Sequence, residues 1–268
     1  MAKHSPSSSG RRDSMNKADQ FLTAVKSLVR DAGMHLLRLS ASQAKRSRYS
    51  NSVPREIKAE ADAVLDQLIL RQLLPLGLPV LSEESGYIRG RSRDGFWFIV
   101  DPLDGTYNFV RDLGPSAVSI ALWRHDQPVF GAIFDLATRR LYFGGPKLGA
   151  FCDESPIRVS AVTRPVEAAI CTGFPARLDR EEVGVAVDFQ NLIRPFGKVR
   201  MIGSAAVSLV NVANGSAEAY TERNIMLWDI AAGLAIVRGA GGQASATPLG
   251  KDWSCVAEAT NGRIRLHA

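Results

Sequence analysis

Histidine, cysteine and aromatic side chains are sparse in this chain, and each shortage removes a class of function. Only 4 histidines occur in 268 residues, His4, His35, His125 and His267, which leaves a zinc centre built on imidazole little to draw on. The 3 cysteines, Cys152, Cys171 and Cys255, are widely separated and odd in number. That fits reduced thiols in a cytosolic protein rather than a disulfide framework. No apolar run reaches the roughly 18 residues a membrane-spanning helix needs, and the leading residues 1–12 lack the apolar middle of a secretory signal. Aromatic residues make up 7% of the chain, and Tyr49 alone stands beside the basic runs. One ring is too little for a single-strand stacking platform.

Charge is unevenly placed. The net +6 comes from residues 1–60, which hold 12 Lys/Arg against 5 Asp/Glu; the remainder holds 21 against 22. Arg11-Arg12 and Lys45-Arg46-Ser47-Arg48 therefore read as solvated arm or loop, with nucleic-acid or membrane contact as the minor alternative. Residues 1–16 are expected to form a flexible basic tail. The rest, with 46% hydrophobic residues overall, suffices for one large α/β domain or two smaller ones. There is no internal repeat.

Apolar residues at helical spacing predict an amphipathic helix over 18–39, through Phe21, Val25, Leu28, Val29, Ala32 and Leu36. After a polar stretch, 40–54, a second helix carries Ala61, Val64, Leu65 and Leu68 on one face and stops before Pro75. Strands follow at 78–82 and 96–100. Short runs at 117–123, 129–134 and 141–144 read as antiparallel hairpins around a turn at 125–127, and 149–151 and 157–159 extend the meander. The rhythm then changes to strand and helix in alternation: 168–172, helix 180–193, 198–202, helix 204–212, 217–221, a helix from Asp229, and a last strand after Gly241-Gly242. This predicts an α+β half over 17–160 with two helices and a mixed or antiparallel sheet, and an α/β half over 161–268.

Carboxylates stand at element ends three times. Asp101-Pro102-Leu103-Asp104-Gly105-Thr106 follows the apolar strand 96–100, Glu83-Glu84 follows 78–82, and Asp229 opens a helix after Trp228. Each has an ordinary reading: a turn with Asp104 as helix cap, a solvated Glu pair, and a capping Asp beside a buried Trp. Together, with no histidine near, they describe an all-oxygen site suited to Mg²⁺ or Mn²⁺. Gly105-Thr106 begins a helix whose first amides can face a phosphate.

Leu81-Ser82-Glu83-Glu84-Ser85, the run 101–109 and Trp228-Asp229-Ile230-Ala231-Ala232-Gly233 resemble the three signature motifs of the inositol monophosphatase family, in the family's order. The run 200–206 resembles a fourth segment. The resemblance implies a layered αβαβα sandwich and a homodimeric, Li⁺-sensitive, Mg²⁺-dependent phosphatase of a small phosphomonoester. It implies that Glu83, Asp101 and the Leu103 carbonyl bind one Mg²⁺ and that Asp101, Asp104 and Asp229 bind a second, with two or three ions in all. Thr106, backed by Asp62, and Glu83 would orient and deprotonate water, and the Gly105 and Thr106 amides would hold phosphate. Gly203, Ser204 and Ala205 would edge the pocket, where a larger side chain would block the substrate ring. Glu222 would accept hydroxyl groups of an inositol-like polyol or sugar, or an ammonium; its ordinary reading is a solvated loop charge. Histidinol phosphate, fructose bisphosphate or a nucleotide bisphosphate are the alternative substrates, and a non-enzymatic RNA- or protein-binding scaffold is the other class. The chain departs from the family where Ala59 precedes Glu60-Ala61-Asp62 without a threonine, and where Asn224 replaces a glycine.

Overall fold

The first amphipathic helix begins well before its apolar repeat. In this computed structural model, which describes residues 8–41, 49–53, 56–173 and 184–266, helix α1 is Ser8–Ala41. It takes in residues 8–16, assigned above to a flexible tail, because no proline interrupts the chain between Pro6 and Pro54. The polar stretch after it contributes a hairpin, β1 (Tyr49–Val53) with β2 (Glu56–Ala59). Helix α2 (Glu60–Leu73) buries Leu65, Ile69 and Leu73, whereas Val64 is 50% exposed. The buried face is thus rotated from the expected one. Strands β3 (Val80–Ser82), β4 (Gly86–Ile88) and β5 (Phe96–Asp104) follow, then a short helix α3 (Thr106–Arg111).

The meander is β6 (Ala117–Arg124), β7 (Gln127–Asp135), β8 (Arg140–Gly145), β9 (Gly149–Cys152) and β10 (Ser155–Pro156). Residues 157–159 form no strand. The Ile157 amide still donates to the Ala150 carbonyl of β9 at 2.9 Å, but the Val159 amide turns to the Ala240 carbonyl at 3.2 Å, so the chain leaves the ladder there. Beyond lie β11 (Ala169–Thr172), α4 (Gly184–Ile193), β12 (Lys198–Arg200), α5 (Ala205–Ala213), β13 (Ala219–Met226), α6 (Leu227–Gly239), β14 (Gln243–Pro248) and β15 (Ser254–Thr260). The expected start of a helix at 180 falls outside the described residues.

Two sheets result. The first has eight strands in the order β10-β9-β8-β7-β6-β5-β3-β4, antiparallel except for β3 beside β5. The second has five, in the order β12-β11-β13-β15-β14, with parallel pairs on one side of β13 and antiparallel pairs on the other. Alternation along the central strands decides what covers each face. Phe98 and Val100, Val118, Ile120 and Leu122, and Phe130 and Phe134 pack with Val25, Leu28 and Leu65 of α1 and α2. Ile99, Ala117, Ala121 and Ile133 face the other way, onto α5 and α6. Small residues dominate there because α6 comes close: a Cβ on Gly131 would lie 2.2 Å from the Ala232 carbonyl.

Helix α6 is buried on every side from Ile230 to Val237. That follows from its place between two sheets. Its apolar cluster joins Leu81, Ile99 and Ala121 to Leu209, Ala257 and Ala259, so the two halves share one core. On the outer face of the second sheet Ile170, Phe196 and Ala219 meet Leu192 of α4. The layers therefore run helix, sheet, helix, sheet, helix, as the motifs imply.

Candidate active site

Parallel pairing of β3 with β5 aligns Ser82 with Val100. The next residues, Glu83 just past the end of β3 and Asp101 still within β5 opposite Ser119 of β6, then lie side by side. The Glu83 amide donates to the Val100 carbonyl at 3.2 Å and keeps the two chains together past the last ladder pair. Asp229 arrives from the first turn of α6. Carboxylate oxygens of Glu83, Asp101 and Asp229 all lie within 4.8 Å of one another. Asp229 uses Oδ2 to accept from the Met226 amide at 3.1 Å, so it caps its helix and still belongs to the cluster. Asp101 accepts the Leu103 amide on Oδ1 at 2.9 Å, while its Oδ2 is buried without a hydrogen-bond partner.

Buried acids that converge resist ionisation. Burial first, and then the charges of Glu83, Asp104, Asp229 and Asp62, push the Asp101 carboxyl well above the usual carboxylate range. Asp229 is raised in the same way, by burial and then by Glu83 and Asp104, with the Met226 amide opposing. A lone buried carboxylate oxygen in an all-oxygen cluster fits a hard divalent cation, which would remove both penalties.

Asp104 lies on the neighbouring side of the site and is engaged by α5. It accepts hydrogen bonds from the Ser204 hydroxyl and from the amides of Ala205 at 3.2 Å and Ala206 at 3.0 Å. Burial pushes it up to about 6, against those three bonds. It caps α5, not α3, whose N-terminal neighbour Gly105 has φ 79° and no side-chain cap. Helix α3 has only six residues, so any anion there would meet its first amides and little of a helix dipole. The Thr106 hydroxyl donates to the Leu103 carbonyl at 2.9 Å. Asp62 is buried on α2, close enough to add its charge to Asp101.

The pocket-edge residues divide. Gly203 is exposed, but Ser204 and Ala205 are buried. Gly203 has φ 75°, and a Cβ there would come 3.0 Å from the Asn108 carboxamide. The left-handed backbone and the nearby Asn108 both call for glycine here. Asn108 also donates to the Pro115 and Ile202 carbonyls at 2.9 and 2.7 Å, tying α3 to the approach to α5.

Glu222 is not a loop charge. It lies within β13, half-buried, packed against Gly173 at the end of β11 and accepting from the Tyr220 hydroxyl at 3.0 Å. Burial raises it to about 7, with the Tyr220 bond opposing. Two residues on, Asn224 adopts φ 61° at an irregularity in the β13–β15 pairing. The left-handed backbone explains why glycine or asparagine serves at this position.

Three contributors escaped sequence reasoning: Asp66, Asn108 and Tyr220. Asp66 is buried on α2 and accepts from the hydroxyls of Ser82 and Ser85, on either side of the Glu83-Glu84 pair. The signal for it was its spacing, one turn after Asp62 on the same helix face.

The family model for the inositol monophosphatase family matches residues 17–262. An inositol-1-monophosphatase from Mesorhizobium japonicum is 35% identical over 234 residues, 86% of this chain and 84% of that protein. A fructose-1,6-bisphosphatase/inositol-1-monophosphatase from Aquifex aeolicus is 30% identical over 231 residues, 85% of this chain and 86% of the relative. The crystal structure of extragenic suppressor protein suhB from Bartonella henselae superposes with a TM-score of 0.77 at 29% identity, covering 89% of this chain and 93% of that one. With the acidic cluster and the layered fold, this match over nearly the whole described chain means that the protein belongs to the inositol monophosphatase family.

Proposed function

We propose that the chain is a Mg²⁺-dependent phosphatase of a small phosphomonoester, an inositol monophosphate-like polyol or sugar phosphate. The observation that carries this reading is the convergence of Glu83, Asp101 and Asp229 within 4.8 Å around a buried Asp101 oxygen that has no hydrogen-bond partner. Glu83, Asp101 and the Leu103 carbonyl would hold one ion, and Asp101, Asp104 and Asp229 a second. Two such ions supply charge neutralisation on the phosphate, activation of water and stabilisation of the leaving oxygen.

The chain's own groups do the rest. Thr106 spends its hydroxyl hydrogen on the Leu103 carbonyl, so its oxygen accepts a hydrogen from the attacking water and aims that water at phosphorus. Glu83 takes the water's other proton on its carboxylate. The Gly105 and Thr106 amides hold a phosphate oxygen, and the departing alkoxide is protonated by solvent. Glu222 favours an alcohol hydroxyl or an ammonium over a second phosphate, because a buried carboxylate repels one. Polyol, sugar and amino-alcohol monophosphates therefore rank ahead of bisphosphates. The reading includes a cytoplasmic homodimer, supported by the family resemblance and by three buried free thiols; light scattering on the purified chain tests the dimer.

The deciding experiment is phosphate release with and without Mg²⁺ across inositol 1-phosphate, histidinol phosphate, fructose 1,6-bisphosphate, a nucleoside 3′,5′-bisphosphate and an aryl phosphate. Mg²⁺-dependent turnover favouring a monophosphate is expected. Turnover that is indifferent to chelator would overturn the reading.

A further inference from the structure

Of the three clustered acids, Glu83 has the least rigid footing. Asp101 sits on a nine-residue interior strand of the larger sheet and Asp229 in the first turn of a buried helix, whereas Glu83 lies on the turn that follows a three-residue strand. Something must hold that turn in place. Ser82 and Ser85 bracket Glu83-Glu84, and each donates its hydroxyl to a different oxygen of the Asp66 carboxylate. Asp66 is itself 2% exposed and fixed in α2, so one buried carboxylate fastens both ends of the turn to a helix.

We propose that Asp66 is a positioning residue of the metal site: through Ser82 and Ser85 it holds Glu83 in register with Asp101 and Asp229, and it sets divalent-cation affinity rather than the rate of the chemical step. The geometry separates it from a plain stabilising contact. A hydrogen bond that only stabilised α2 would have no reason to span both flanks of one ligand-bearing turn. Asp66 reaches the cation only through another residue, as outer-shell groups do when they orient a ligand. The proposal rests on the metal-dependent reading above.

Calorimetric titration of Mg²⁺ into metal-free protein tests it without any substrate. In Asp66→Asn the binding constant should weaken by about tenfold or more, the usual effect of losing an outer-shell partner. Ser85→Ala removes one of the two bonds at an exposed turn position and should give a smaller loss in the same direction; it keeps the test open if Asp66→Asn does not fold. Phosphate release should then show a Mg²⁺ requirement raised by the same factor, with kcat at saturating Mg²⁺ within about threefold of the parent, a split a merely structural role would not produce. Unchanged Mg²⁺ affinity in folded variants, or a kcat that stays depressed at saturating Mg²⁺, would overturn the proposal. If the parent binds Mg²⁺ but releases no phosphate, the phosphatase reading fails while the calorimetry still decides the role of Asp66. A parent chain that binds neither Mg²⁺ nor Mn²⁺ sinks both.

Discussion

Asp101 is where binding and stability oppose each other most sharply. Its Oδ2 is buried without a partner and its carboxyl is crowded by Glu83, Asp104, Asp229 and Asp62. Asp101→Asn removes one of these repelling charges at nearly constant shape. The metal-free variant should melt higher than the parent, should gain little in melting temperature when Mg²⁺ is added, and should lose turnover by several orders of magnitude. A melting temperature equal to or below the parent's would mean that the cluster costs the fold nothing. Asp104→Asn should behave differently, because Asp104 accepts from Ser204, Ala205 and Ala206. An amide group turned toward those donors leaves some unpaired, at about 1–3 kcal/mol. That variant should lose activity and stability together, which thermal melts and rate measurements would show side by side. Tyr220→Phe tests the substrate side: without the bond to Glu222, KM should rise severalfold with kcat nearly kept, and equal losses in both would remove Tyr220 from substrate binding.

Elements carry the site by how closely they can approach. Helix α6 brings Asp229 to the larger sheet because Gly131 leaves no side chain between β7 and the Ala232 backbone. Gly131→Ala sets carbon against a backbone carbonyl that cannot rotate away. It should destabilise by about 1–3 kcal/mol and should weaken Mg²⁺ binding through displacement of Asp229, which denaturant melts and calorimetry would read separately. This dependence shows what the sequence could and could not disclose. The strand leading into Asp101 was legible because it is apolar on both faces, and the three acidic motifs because each follows or opens an apolar element. Gly131 was silent: its partner arrives a hundred residues later, and no local pattern records a close approach. Asp66 left only its spacing one turn after Asp62, since an acid on an amphipathic helix reads as solvated surface until Ser82 and Ser85 are seen beside it. The hairpin β1–β2 went unread in a stretch with no apolar alternation, and Val64 was placed in the core by a helical spacing that fits two neighbouring faces equally well.

At the scale of the whole molecule, the buried acids couple stability to pH and to metal. Burial lifts Asp104 from 3.8 to about 6 and Glu222 from 4.5 to about 7. The folded chain therefore binds protons more tightly than the unfolded chain across that window. Stability is proportionally lost as the unfolded state releases protons that the folded state still holds. From these two groups the sign is fixed: the metal-free protein loses stability as pH rises from about 4 to about 7. A divalent cation held as proposed would act in the opposite direction, since it would bind the ionised cluster of the folded state alone and stabilise it by about 2.7 kcal/mol at a hundredfold excess over its dissociation constant. Protons and Mg²⁺ would then compete for the same oxygens. Melting temperatures taken with chelator should fall between about pH 5 and pH 7.5, and the increment on adding Mg²⁺ should be small at the lower pH and large at the higher one. A chelated protein whose melting temperature stays flat or climbs over that range would mean that the acids are already neutralised by groups of the chain itself, and the case for a cation at their centre would lose its electrostatic basis.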